Sequence, residues 1–315
     1  MNRNFDTAII LPFYGTFPIW INAFLRSCKF NPELEWLIFS DSKEPSYLPD
    51  NVQFIHLDKT DLSGLIYKKT GIQHHLDNPY KLCDFKPLYG HIFEEYIGDR
   101  TFWGHCDMDV IWGDMRAFLQ HINYTSYDII STRPHAISGH FTLYRNIEQL
   151  NLFYRQIPNY NKAFVGNNYQ GFDEGFFSFH LFNEIQNHSL RVKPYWEKRN
   201  CLDRAELQRL PLGWYWKNGK IKNFFGLTGN YLHLIDWKHS LEIVELGDIN
   251  KLRTFKITQF GLWKKAPSPQ YQLRIIKGFE LIHLFRHFKS RLKKFISTKT
   301  AAIHPNVPKE YRVLN

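Results

Sequence analysis

Three short apolar runs near the N-terminus constrain this chain most. Thr7 to Leu11 (TAIIL) stops at Pro12, Trp36 to Ser40 (WLIFS) stops at Asp41, and Val52 to Leu57 (VQFIHL) follows closely. Runs this short, rich in β-branched residues and closed by turn residues, match strands buried in a parallel sheet. A helical stretch from Ile19 to Cys28 separates the first two. Strand, helix, strand, strand predicts an open α/β sheet.

The pattern continues. Lys86 to Tyr96 predicts a helix with Pro87 in its first turn, and Thr101 to Cys106 a strand with Asp107 to Gly113 as its C-terminal loop. Asp128 to Thr132 and Gly139 to Tyr144 read as strands, Phe176 to Ile185 as a helix, and Tyr231 to Ile235 as a last short strand. Pro267 and Pro269 mark a linker. Beyond it, Ile275, Phe279, Ile282, Phe285, Leu292 and Phe295 accompany seven cations and one acid between Arg274 and Lys294, the pattern of a basic amphipathic helix. Three regions are therefore expected: a domain over 1–262, a basic helical appendage over 263–296 and a frayed tail over 297–315. The appendage contributes +6 of the chain's formal +10, so the charge speaks for an anionic membrane surface more than for the pocket of the domain.

Composition removes several classes. Hydrophobic residues at 43% with 18 Gly and 15 Pro exclude a collagenous or broadly disordered chain. Cys28, Cys83, Cys106 and Cys201 lie far apart without a C-x-x-C pair, so reduced thiols in a cytoplasmic protein are expected rather than a zinc knuckle. The apolar run at the N-terminus is too short for a signal sequence, and no stretch is long enough for a membrane span. No recognisable nucleic-acid-binding motif accompanies the basic charge, so no nucleic-acid partner is expected.

The chemistry concentrates in Phe102-Trp103-Gly104-His105-Cys106-Asp107-Met108-Asp109-Val110. Two carboxylates at i and i+2, leaving a strand at the edge of an open sheet, can share a hard divalent cation. Asp114 precedes a helical run and reads as its cap. Upstream, Tyr80-Lys81-Leu82-Cys83-Asp84-Phe85-Lys86 sets two cations around one acid. Downstream, Asp173-Glu174 sits beside glycine and aromatics, offering either a general base or a cap. His233 and Lys238 follow on and after the last strand. Trp103, Trp112, Trp214 and Trp216 are candidate sugar platforms or packing, and Trp214 and Trp216 would share one face of a strand.

Together these residues resemble the metal-dependent, nucleotide-sugar glycosyltransferases of the GT-A fold. In particular the chain is similar to bacterial polysaccharide glycosyltransferase-like proteins carrying a PYKLCDFKP…FWGHCDMDVIWGD stretch. The resemblance runs from Pro79 to Asp114, through Ser138-Gly139-His140-Phe141 and Phe172-Asp173-Glu174-Gly175, to Tyr231-Leu232-His233. It also looks like a variant of the K-x-x-D-x-x-R…D-x-D pattern of glycogenin-like and lipopolysaccharide glycosyltransferases, with Lys81, Asp84 and Lys86 near its basic and acidic positions, the later arginine absent, and Trp103-Gly104 where Gly-Gly is usual. The resemblance implies a GT-A, mostly parallel sheet flanked by helices, and Mn²⁺ or Mg²⁺ held by Asp107, Asp109 and His233. It implies a nucleotide-sugar donor, UDP-linked by resemblance, touched by Asp107, Lys81, Asp84, Lys86 and Lys238. Pro12, Phe13 and Tyr14 with Asp41 would surround the nucleoside, and Asp173 or Glu174 would lie on the reactive face of the sugar. The implied reaction is hexosyl transfer to a glycan or lipid-linked acceptor in cell-surface polysaccharide synthesis, in the cytoplasm or on the inner face of its membrane. The His233 match favours retention of configuration, while the paired acids would suit inversion. Two other readings stand beside it: a haloacid-dehalogenase-like phosphatase with Asp107 as nucleophile, and an inactive glycan-binding relative.

Overall fold

The computed structural model describes residues 6–197, 201–202, 213–223 and 225–265, which form a mixed α/β molecule. Strands β1 (Thr7–Pro12), β2 (Leu34–Ser40), β3 (Val52–His56), β4 (Phe102–Cys106), β6 (Ile129–Ser131), β7 (Phe141–Arg145) and β8 (Pro194–Trp196) make a central sheet in the order β3-β2-β1-β4-β7-β6-β8. The first four run parallel, β7 is antiparallel to β4 and β6, and β8 is parallel to β6. The sheet is mostly parallel and flanked by helices, as the apolar runs predict.

Side-chain alternation explains why β1 and β2 contain no polar stripe. Ala8, Ile10, Leu37 and Phe39 enter the core on one face, together with Leu62 and Ile66 of the helix Lys59–Thr70. Ile9, Leu11, Trp36 and Ile38 enter the core on the other, with Phe24 and Leu25 of the helix Ile21–Lys29. A strand covered on both faces has no position for a solvated residue.

Two smaller sheets complete the fold. β5 (Val110–Trp112), β9 (Cys201–Leu202) and β13 (Tyr231–His233) pair in the order β5-β13-β9. β10 (Trp214–Lys217), β11 (Lys220–Asn223), β12 (Thr228–Gly229), β14 (Ile243–Glu245), β15 (Thr254–Thr258) and β16 (Gly261–Trp263) form a six-stranded sheet in the order β12-β11-β10-β15-β16-β14. It is joined to the α/β body by Trp216 Nε1 donating to the Trp112 carbonyl at 2.8 Å and by buried Arg26 donating Nε to the Leu252 carbonyl at 2.8 Å.

Three expectations change. The helix foreseen over Lys86–Tyr96 is broken into Lys86–Leu88, Tyr89–Ile92 and Glu94–Ile97. Its middle piece presses Gly90 against the central sheet, where any β-carbon would come within 2.5 Å of the Trp103 indole. The helix foreseen over Phe176–Ile185 starts earlier, as a π-helical turn Phe172–Phe177 that runs into the α-helix Ser178–Gln186. The loop foreseen over Asp107–Gly113 contains β5. Asp114 is a helix cap as read, accepting from the Ala117 amide at 3.0 Å. The basic segment 274–296 and the tail 297–315 lie outside the described residues.

A buried ion pair fixes the segment that precedes the π-turn. Lys81 and Asp84 are fully buried and 2.8 Å apart. Lys81 Nζ also donates to the carbonyls of Ala163 and Asn168, while Asp84 accepts from the amides of Gln170 and Phe172. Every one of these bonds ends on the protein, so the pair clamps residues 163–172. The resemblance gives both side chains a place at the donor; here their charges are sealed within the protein. Removing one partner leaves the other charged and buried, so Lys81→Met is predicted to cost about 3–5 kcal/mol in chemical denaturation. A cost below about 1 kcal/mol would contradict the assignment.

Candidate metal and nucleotide-sugar site

The site is built by the pairing of β5 with β13. In their antiparallel register Val110 faces His233, and the Leu234 amide donates to the Asp109 carbonyl at 2.7 Å. Residues distant in the chain thus meet at the C-terminal end of β4. Asp107, Asp109 and His233 each offer a ligand atom within 4.8 Å of the others. Among the described residues no other group of three such side chains comes together.

Asp109 is the buried centre. Its Oδ2 accepts from Lys238 Nζ at 2.7 Å, and its Oδ1 faces His233 Nε2 at 3.3 Å without an aligned hydrogen bond. Burial pushes its pKa up, but the attraction of His233 and Lys238 outweighs that and holds it well below the usual carboxylate range. Asp107 is half-exposed and accepts from Lys86 Nζ at 2.5 Å. Burial alone would lower the pKa of Lys86; Asp107, with Cys83 and Asp173, reverses this and raises it well above normal. Lys238 is raised for the same reason, with Asp109 overcoming desolvation. Both lysines are therefore charged at neutral pH.

The donor set suits a hard divalent cation. Two carboxylates and one imidazole are acceptable ligands for Mn²⁺ or Mg²⁺, and Asp109 Oδ1 already converges with the imidazole nitrogen. His233 is held by His140, whose ring stacks on it at 4.2 Å and whose Nε2 lies 2.8 Å from the Tyr231 hydroxyl. Spacing alone gives His140 no role, although Ser138-Gly139-His140-Phe141 belongs to the stretch carrying the resemblance.

Gly139 links this cluster to the second pair of acids. Its carbonyl accepts from Lys86 Nζ at 2.8 Å and its amide donates to Glu174 Oε1 at 2.7 Å. A β-carbon here would stand 3.0 Å from Glu174 Oε1 and 3.3 Å from Asp173 Oδ2, so any larger residue would press on both acids. Glu174 is also paired with Arg133 at 2.7 Å. Asp173 is buried and accepts from the Tyr169 hydroxyl at 2.7 Å. Neither acid caps the helix that follows; Asp173 lies inside the π-turn.

The nucleoside candidates sit at the same sheet edge. β1 pairs with β4 up to Ile10 opposite His105, so the chain leaves the edge at Pro12 beside Asp107. Phe13 stacks on Phe17, Tyr14 is buried, and Asp41 accepts from the Gly15 amide at 3.4 Å. Of the two readings of the tryptophans, packing is the one that burial supports: Trp103, Trp112, Trp214 and Trp216 are all fully buried. The exposed aromatic beside the acids is Tyr80, 60% accessible, edge-on to Tyr169 at 5.0 Å.

Asp173 gives a pH signature. Burial, reinforced by Glu174 and opposed by Lys86, raises its pKa from 3.8 to about 7. The folded protein then keeps a proton that the unfolded chain releases, so this group's contribution to stability is full below pH 4 and is lost as pH rises to about 7. Asp173→Asn is predicted to remove that loss, with wild type falling behind the variant by up to about 1.4 kcal/mol per pH unit in this window. Denaturation midpoints across pH that run parallel for the two proteins would contradict it.

Comparison with known proteins adds a family. Among solved structures, the chain is similar to a galactosyltransferase, LgtC, solved with donor and acceptor sugar analogues, at 11% identity and a TM-score of 0.32. That overlay covers 50% of this chain and 64% of the other, so it spans less than two-thirds of that protein. It is also similar to mouse xyloside xylosyltransferase 1 in its apo form, at 11% identity and a TM-score of 0.34, over 60% of this chain and 84% of the other. Among curated proteins none matches. The model of a family of unknown function, DUF6625, matches residues 9–262, and the chain belongs to that family.

Proposed function

We propose that this protein is a GT-A-type, metal-dependent glycosyltransferase that moves a hexosyl group from a nucleoside-diphosphate sugar, UDP-linked by resemblance, to a glycan or lipid-linked acceptor. One observation carries the reading: Asp107, Asp109 and His233 converge at the C-terminal edge of a mostly parallel sheet, with Lys86 and Lys238 beside them. Anionic ligands of open α/β sheets bind at that edge. A divalent cation held by these three residues would supply Lewis-acid neutralisation of the departing diphosphate. In this reading Lys238 and Lys86 offer further positive charge to the phosphates, and Pro12 to Tyr14 with Asp41 form the nucleoside wall.

The acids Asp173 and Glu174 take a holding role. Glu174 is committed to Arg133 and the Gly139 amide, and Asp173 to the Tyr169 hydroxyl, so both are fixed hydrogen-bonding groups for sugar hydroxyls beside the reacting centre. Tyr80 would present its ring to the acceptor. A phosphatase of the haloacid-dehalogenase type is not favoured: its nucleophile follows the first strand, whereas β1 here runs into Pro12 and Phe13 and the acids follow β4. The acceptor is proposed to lie in cell-surface polysaccharide synthesis at the inner face of the cytoplasmic membrane, approached through the basic segment 274–296. Among the described residues no helix is long and apolar enough to cross a membrane.

Activity against a panel of nucleotide sugars tests the reading. Mn²⁺-dependent donor hydrolysis or transfer is expected in wild type, abolished by chelation and restored by Mn²⁺. In Asp109→Asn it is expected to fall about a hundredfold or more, with the circular dichroism spectrum unchanged. Turnover that survives both chelation and the substitution would overturn it.

A further inference from the structure

Arg26 is a buried cation that the site above does not use. It lies on the helix Ile21–Lys29 and is 5% accessible. All its partners are neutral: Nε donates to the Leu252 carbonyl at 2.8 Å, Nη1 donates to the Tyr47 hydroxyl at 3.3 Å, and the guanidinium carbon stands 5.2 Å from the centre of the Phe30 ring. Among the described residues Nη2 has no hydrogen-bond partner and the guanidinium no carboxylate. A charge taken out of water needs an opposite charge in place of its hydration. The other buried basic side chains, Lys81 and Lys86, each have one, in Asp84 and Asp107. Arg26 instead borders a cleft of about 410 Å³, which Phe30, Asn218, Asn250, Lys251 and Arg253 also line.

Three segments meet to make this cleft. Asn218 and Gly219 form the two-residue turn between β10 and β11, both at positive φ, and a β-carbon on Gly219 would come within 2.9 Å of Phe30. The Asn218 amide donates to the Arg253 carbonyl at 2.9 Å, tying that turn to the residues leading into β15. Phe30 packs edge-on against Trp216 at 4.9 Å, which fixes the wall beneath the guanidinium. The rim adds two cations. The Arg253 guanidinium makes no ion pair among the described residues, and Lys251 has only Asp248, at 3.6 Å, with 84% of its side chain accessible. No acid is among the lining residues. Guanidinium forks and an ammonium are the donors that phosphate recognition uses, because a phosphate carries more negative charge and more acceptor oxygens than a carboxylate. The cleft also falls within the range of about 300–1,000 Å³ of small-molecule sites, so a phosphate carried on an organic group has room.

We propose that this cleft binds a phosphate group, which supplies the negative charge that Arg26 lacks, with Lys251 and Arg253 closing on it from the rim. The cleft shares no residue with the metal and nucleotide-sugar site, so the inference stands apart from the transferase reading. Isothermal titration of the full chain in chelator, at neutral pH, with inorganic phosphate and with phenyl phosphate tests it. Saturable binding of one equivalent is expected for at least one probe, and the tighter of the two tells a free ion from a phosphate ester. Because Arg26 also joins the α/β body to the six-stranded sheet, the test variant is taken from the exposed rim. In Lys251→Gln/Arg253→Gln the affinity should fall about tenfold or more, as expected for the loss of charged hydrogen bonds, with the denaturation midpoint in the absence of phosphate unchanged. Lys238→Gln, which removes a cation from the metal and nucleotide-sugar site, should bind as wild type does. The proposal is overturned if wild type binds neither probe, if the rim variant binds as tightly as wild type, or if Lys238→Gln abolishes the binding and so places it at the other site.

Discussion

Burial of the Asp109 carboxylate is the constraint on which the rest of the site depends. An ionised carboxylate removed from water costs several kcal/mol unless opposite charge and hydrogen bonds replace its hydration. Lys238 and His233 supply that replacement, and both reach Asp109 only because β13 pairs with β5 in the register that sets His233 opposite Val110. The β5–β13 pairing is in turn covered by the six-stranded sheet through the bond from Trp216 to the Trp112 carbonyl. The second half of the chain thus completes a charge arrangement that the first half begins.

The same logic extends outward in a connected series. Asp107 holds Lys86, Lys86 holds the Gly139 carbonyl, the Gly139 amide holds Glu174, and Glu174 holds Arg133. Behind them the sealed Lys81–Asp84 pair fixes the segment leading into Asp173. Two pairs of acids separated in sequence become neighbours around one glycine. Of these acids Asp109 is the one held ionised by the cations beside it, as a divalent cation requires, while buried Asp173 keeps its proton until about pH 7.

The central sheet is legible in the chain because strands buried on both faces read as short apolar runs closed by turn residues, as TAIIL and WLIFS show. The metal triad is legible in part: the acids follow a strand, and His233 enters through resemblance rather than spacing. What spacing does not carry is burial. Lys81 and Asp84 are ligand groups by resemblance, yet they are sealed inside; the four tryptophans read as platforms or packing, and all four are buried. The six-stranded sheet escapes for another reason. Its strands are very short and β10 pairs with β15, whose residues lie far along the chain, so only the alternation of Trp214, Tyr215 and Trp216 announces it.

Direct titration of Mn²⁺ by electron paramagnetic resonance, in the presence of uridine diphosphate, tests the central claim without relying on a donor sugar or acceptor. The free Mn²⁺ signal should be depleted by one equivalent per wild-type chain and left essentially undiminished by His233→Ala. A signal unchanged by the wild-type protein, or depleted equally by the variant, would contradict a metal site built from Asp107, Asp109 and His233.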